Sequence, residues 1–312
     1  MPAFASHFLL LEELSNELDK KTLFPFDKGV AGIGAQGPDI FIFHRLWPPF
    51  TIYKALNGTA TKLHKCKAGE LFDVFSDYLT FSTNKEVAKS YIYGFILHYA
   101  LDRNCHPYVY AYQDAITAEN KKIHPLAAHN VVEHAMDTYL LEKRAGIYPP
   151  SDFDPLATFS FDEAAHEEIA HLLSYVISHL FNQEIPESEI IRAITDTAKL
   201  QNTLSDRNGN ATRIAHMIET PLGPLIGYFK LSASIKPKDL ESARKYANID
   251  NGIWVSPYDK SEHTESFEEL FERAKDDARE LIEGFEAVCA KEKTGYEVTG
   301  NISFLTGLEV KE

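Results

Sequence analysis

The sequence predicts an all-α protein, a multi-helix bundle, on three observations. Apolar residues recur at helical spacing in one segment after another. Alternating apolar and polar patterns are scarce. One stretch, Tyr91 to Leu101, is apolar or aromatic on nearly every side, as a helix enclosed by other helices must be.

Taken in order, Leu9, Leu10, Leu14 and Leu18 mark the inner face of a first helix, with His7 close before it. GVAGIGAQGPDIFIF follows; its glycines and Pro38 predict a loop. Gly69 to Tyr78 predicts a second helix with Leu71, Phe72 and Phe75 on one side. A third is expected over about Ala88 to Arg103, with His106 near its end because Pro107 lacks the amide a helix needs. A fourth is expected over about Pro125 to Lys143, stopped by Tyr148, Pro149, Pro150 and Ser151.

Ser160 and Glu163 have the capping-box spacing, and Phe161, Ala165, Ile169, Leu172, Leu173, Val176 and Leu180 then share one helical face. Pro186 opens another helix through Ile190, Ile194 and Leu200, and Ser266 with Glu269 starts the last, to about Lys291. Leu225 to Leu231 is the best strand pattern and stays ambiguous. The expectation is a single all-α domain over residues 1–312, with a core over about 1–147 and a helical extension over about 151–312.

Composition narrows the function classes. The chain has 312 residues and a formal charge of −15, a field that repels phosphate backbones and anionic lipid surfaces. General nucleic-acid binding is therefore not expected, and membrane contact at most peripheral. Three scattered cysteines without a CxxC indicate neither a disulfide framework nor a zinc ribbon. With no basic leader and no apolar run of membrane-spanning length, the expected location is cytoplasmic.

Two motifs are decoys. Gly32, Gly34 and Gly37 fit GxGxxG, but no Val/Ile strand precedes them, and Pro38 and Asp39 stand where a dinucleotide-binding helix would start. His166, Glu167 and His171 imitate HExxH with the second histidine at i+5, on a different face of the helix.

The informative segment is SYIYGFILHYALDRNCHP. His98 and Asp102 share a helix face at i, i+4, and Gly94 one turn earlier leaves room for something to approach the backbone. A buried carboxylate costs several kcal/mol unless a cation or hydrogen-bond donors compensate it. His106 follows Asp102 at the same spacing. On the next helix His129 and Glu133 repeat the pair, with Asp137 one turn on, either an orienter of a ligand imidazole or an exposed helix carboxylate. Two helices that each turn a histidine and a carboxylate toward a common space are how α-bundles build polynuclear metal sites. His7, Asp39 and His64 are three more ligand types where loops meet helix ends.

In this order, from His7 through GAQGPD, His64, GFxxHxxxDxxxHP and HxxxE, the sequence resembles the zinc-dependent phospholipase C family, a branch of the fold shared with single-strand-specific zinc nucleases. The resemblance implies a helical bundle around two zinc ions, with a third position. Asp39, His64, His98 and Asp102 would hold one zinc; His106, His129 and Glu133 a second; His7 with bridging Asp102 a third. It also implies a catalytic role for Asp39 as ligand and general base. Two features depart from the secreted members: Met1 and Pro2 stand where those have a zinc-binding tryptophan, and the step from Asp102 to His106 is shorter.

Three carboxylates leave two or three divalent ions with net positive charge, which suits a phosphate ester. The expected reaction is phosphodiester hydrolysis by a zinc-held hydroxide. Its substrate would be a small diester or a phospholipid headgroup. A nuclease acting on single strands and a metal-stabilised protein without catalysis are the two alternatives.

Overall fold

The computed structural model describes residues 4–22, 24–45, 56–206, 210, 213 and 239–311. Among these, helices dominate and extended structure is confined to two short strands and one bridge. Leu225 to Leu231 lies outside the described residues.

The order begins with α1 (Phe4–Lys21), α2 (Lys28–Gly34) and a 3₁₀ turn (Gly37–Phe41). It continues with α3 (Asn57–Lys65), α4 (Ala68–Phe81), α5 (Lys85–Glu119) and α6 (Pro125–Ala145). After two further 3₁₀ turns come α7 (Glu163–Phe181), α8 (Glu187–Leu204) and α9 (Leu240–Tyr246). An antiparallel pair, β1 (Trp254–Val255) with β2 (Glu262–His263), then leads to α10 (Phe267–Cys289) and α11 (Gly295–Thr299).

The axis of this arrangement is α5. Asn84 caps it by accepting from the Val87 amide, and its 35 residues span about 50 Å at 1.5 Å per residue. From Tyr91 to Asp102 every residue is buried, as the all-round apolar sequence predicts. The helix does not stop at Arg103: it runs through Pro107 to Glu119. A proline costs one hydrogen bond and strains the preceding turn, but buried packing on both sides of it holds the axis together.

The glycine-rich segment expected to be a loop is helical. Asp27 caps α2 by accepting from the Val30 amide. A Cβ on Gly94 would lie 2.0 Å from the Ala31 carbonyl oxygen, and one on Gly34 would lie 2.1 Å from that of Tyr91. The approach that Gly94 leaves room for is thus α2 itself, and paired glycines allow backbone-to-backbone contact that offsets glycine's poor helix propensity.

The remaining helices follow their sequence signals with small departures. Glu163 opens α7, but its N-cap is Asp162, the Ser160 capping box does not form, and Phe161 is exposed ahead of the helix. α10 carries the capping box of Ser266 and Glu269 as expected. Residues 150–160, at the expected junction of core and extension, are packed down: Phe153 and Phe159 meet Phe4, and the Ser160 amide donates to the Gly29 carbonyl.

Candidate metal centre

Four helices and one 3₁₀ turn bring all eight predicted side chains into one buried space. His7 lies within α1 rather than before it, Asp39 on the 3₁₀ turn, and His64 on α3 rather than in a loop. His98, Asp102 and His106 line one stripe of α5, and His129 and Glu133 line α6. Their ligand atoms form three groups within which all lie no more than 4.8 Å apart: His7, Asp39 and His98; His64, His98 and Asp102; and His106, His129 and Glu133.

Asp102 is the hub. Its carboxylate faces His98 Nε2 at 3.1 Å, His7 Nε2 at 3.4 Å, His64 Nε2 at 3.5 Å and His106 Nδ1 at 3.6 Å. Asp39 faces His64 Nε2 at 3.4 Å, and His129 Nε2 meets Glu133 at 2.9 Å. The imidazoles of His7 and His98 stack at 4.2 Å.

Four of the five rings are held from behind. His64 Nδ1 donates to the Ala60 carbonyl at 2.8 Å, His98 Nδ1 to that of Ala35 at 3.2 Å, and His106 Nδ1 to that of Phe304 at 2.7 Å. Because a carbonyl can only accept, each of these rings carries a proton on Nδ1, and in the neutral ring the Nε2 lone pair is free to bind a cation. His129 Nδ1 meets a side chain instead, the Gln113 amide oxygen at 3.1 Å. Gly37, with φ +50, makes space for the cluster, since a Cβ there would lie 2.4 Å from His98 Cδ2. This glycine of the dinucleotide decoy serves an imidazole.

Support for the ligand-bearing elements comes from far along the chain. Asp137 is neither exposed nor aimed at an imidazole: it accepts from the Ala5 and Ser6 amides at 3.0 and 2.7 Å and from the Ser6 hydroxyl, so it holds the start of the helix that carries His7. On the Asp39 side, α8 clamps the 3₁₀ turn: Thr197 donates to the Ile40 carbonyl, and the Arg45 amide donates to Asp196. The Phe304 ring packs on His64, His98 and Tyr99. Neither Thr197 nor Phe304 carries a sequence signal for this site. Only Gln113 has a spacing that hints at it, two turns along α5 from His106.

Burial governs the protonation of the centre. It holds His7 and His129 well below the ordinary histidine range and His106 at about 3. Burial also raises the Asp39 carboxyl. For His98 and Asp102 burial opposes the charged forms but mutual attraction wins: Asp102 is depressed by His106 and His98, and His98 is raised by Asp102 and Asp39.

The donor set fits a divalent cation. Both oxygens of Asp102, Oδ1 of Asp39 and the Nε2 atoms of His7, His64, His98 and His106 are buried without a hydrogen bond of ordinary geometry among the described residues. Asp39 and Asp102 have no lysine or arginine partner there. Neutral imidazoles and carboxylates sharing one cavity are the ligand chemistry of zinc. The HExxH imitation plays no part: His166 bonds the Ser160 carbonyl and His171 pairs with Glu187 at the surface.

A family model described as zinc dependent phospholipase C matches residues 6–202, more than half of the chain, and that span holds all eight residues. No curated protein and no solved structure matches the chain.

Proposed function

The chain belongs to the zinc-dependent phospholipase C family, and on that premise we propose that it hydrolyses a phosphodiester at the eight-residue centre. The observation that carries this reading is the hub: a fully buried carboxylate ringed by four imidazoles with no lysine or arginine partner among the described residues. Asp39, His64, His98 and Asp102 would hold one zinc and His106, His129 and Glu133 a second, with His7 and Asp102 available to a third. The 4.8 Å groupings support that division, and they also bring His7 beside Asp39 and His98.

Bound zinc would offset the charge of a phosphoryl group and lower the pKa of a coordinated water to about 7. The chain's own residues do the rest. Asp102, held ionised by its imidazole neighbours, supplies the negative charge that keeps cations in the cavity. Asp39, beside the His7 and His98 imidazoles, would accept a proton from the attacking water, in the double role of ligand and base that the family resemblance implies. The carbonyls behind His64, His98 and His106 keep the rings from turning, so the ester meets a preset arrangement.

The charge of −15 favours a zwitterionic or small diester over a nucleic-acid strand. The test is metal analysis of the purified protein followed by assay of bis-p-nitrophenyl phosphate, a phosphocholine ester and single-stranded DNA, with and without chelator. Chelator-sensitive turnover of either small diester is expected. Zinc bound without turnover of any of the three would refute the reading.

A further inference from the structure

The ligand stripe of α5 does not end at its last metal-ligand candidate. Gly94, His98, Asp102 and His106 follow one another at intervals of four, and the next rung is Tyr110, about 6 Å farther along the axis. Its ring centroid lies 4.9 Å from that of His129 and 5.7 Å from that of His106, so it touches two of the three residues of the second ligand group. Tyr258, from the turn between β1 and β2, backs the ring edge-on at 5.7 Å.

Its hydroxyl differs from those of three other tyrosines on the helix. Tyr93, Tyr99 and Tyr108 donate to Glu286, to the Ile302 carbonyl and to the Tyr246 carbonyl, at 2.8, 2.7 and 2.7 Å. These three are structural. Tyr110 is only half-buried, and its hydroxyl makes no hydrogen bond to a described residue. A phenol fixed by three aromatic neighbours, beside a cluster built to attract an anion, is a donor waiting for an acceptor.

We propose that Tyr110 contacts the substrate, its hydroxyl donating a hydrogen bond to an oxygen of the phosphate ester held at the His106, His129 and Glu133 group. The role rests on the phosphodiester reading above. It adds a substrate-contacting residue that is not itself a ligand. Tyr258 sets the angle of the ring and makes no contact of its own.

Tyr110→Phe removes only the hydroxyl and preserves the packing with His129, His106 and Tyr258. Bound zinc should be unchanged. The affinity of the zinc-loaded protein for inorganic phosphate, read by calorimetry, should fall about tenfold, as expected for the loss of one hydrogen bond to a charged acceptor. In the diester assay kcat/KM should fall by a similar factor. Absence of turnover in the wild type defeats the phosphodiester reading, while the phosphate titration still reads the contact. Equal phosphate affinity in wild type and variant, or no phosphate binding by the zinc-loaded wild type, overturns the proposal for Tyr110.

Discussion

Residues 4–145 and residues 239–311 bring different things to the same cavity. The first region supplies every ligand-type side chain, from His7 to Glu133. The second supplies none, yet the Phe304 carbonyl holds the His106 ring and the Phe304 side chain walls His64 and His98. It is pinned there by the Ile302 carbonyl accepting from Tyr99, and by Asp73 and Asn301 bonding the starts of α11 and α4. The contrast teaches that ligand identity and ligand aim are separable. Identity is written in side chains close together in sequence, and aim in contacts that only folding creates.

The strongest way to sharpen this contrast is to remove the hub. Asp102→Asn, or His98→Ala, should abolish zinc binding and chelator-sensitive activity together, because His98 belongs to two of the ligand groupings and Asp102 faces four of the imidazoles. Metal content equal to wild type in both variants would break the assignment. Chelation should come next in size: zinc present at about a thousandfold over its dissociation constant contributes about 4 kcal/mol to folding, so stripping it should lower the melting temperature clearly, with recovery on zinc addition.

A change in the second region should injure only part of the centre. Gly307 sits at φ +64, and a Cβ there would lie 2.8 Å from the Arg103 carbonyl oxygen. Gly307→Val should shift the turn that holds the Phe304 carbonyl on His106. It should weaken the zinc of His106, His129 and Glu133 about 10–100-fold, with the other zinc retained. Loss of both zincs in parallel would show that the turn serves global stability instead. Gln113→Ala, acting on His129 alone, should cost the same zinc about tenfold, measured by competition with a coloured chelator.

The smallest effect concerns acid. In the unfolded chain a histidine takes a proton near 6.5, whereas burial holds folded His106 neutral down to about 3. Below 6.5 the unfolded state therefore binds more protons, and the stability of the metal-free protein should decline as pH falls through that window and level off below it. Denaturant midpoints across that range should show the decline, and His106→Asn should make it shallower, with His7 and His129 supplying the rest. An equal slope in the variant would assign the acid sensitivity elsewhere.

By itself the sequence determined that the protein is helical and that Tyr91 to Leu101 lies inside, and it singled out His7, Asp39, His64, His98, Asp102, His106, His129 and Glu133 as candidate ligands. Periodicity and i, i+4 spacing are local, and a polar pair inside an apolar run is conspicuous wherever it falls. Only the tertiary structure decided that GVAGIG is a helix, since the contact of Gly34 and Gly94 across two helices outweighs glycine's local preference for loops. The same holds for the passage of α5 through Pro107, where packing offsets a missing amide. It also decided that Asp137 secures the helix of His7 and that Phe304 aims His106. Those partners stand 131 and 198 residues apart. A hydrogen bond to a backbone carbonyl asks nothing of the side chain that carries it, so no residue type marks such a partner in advance.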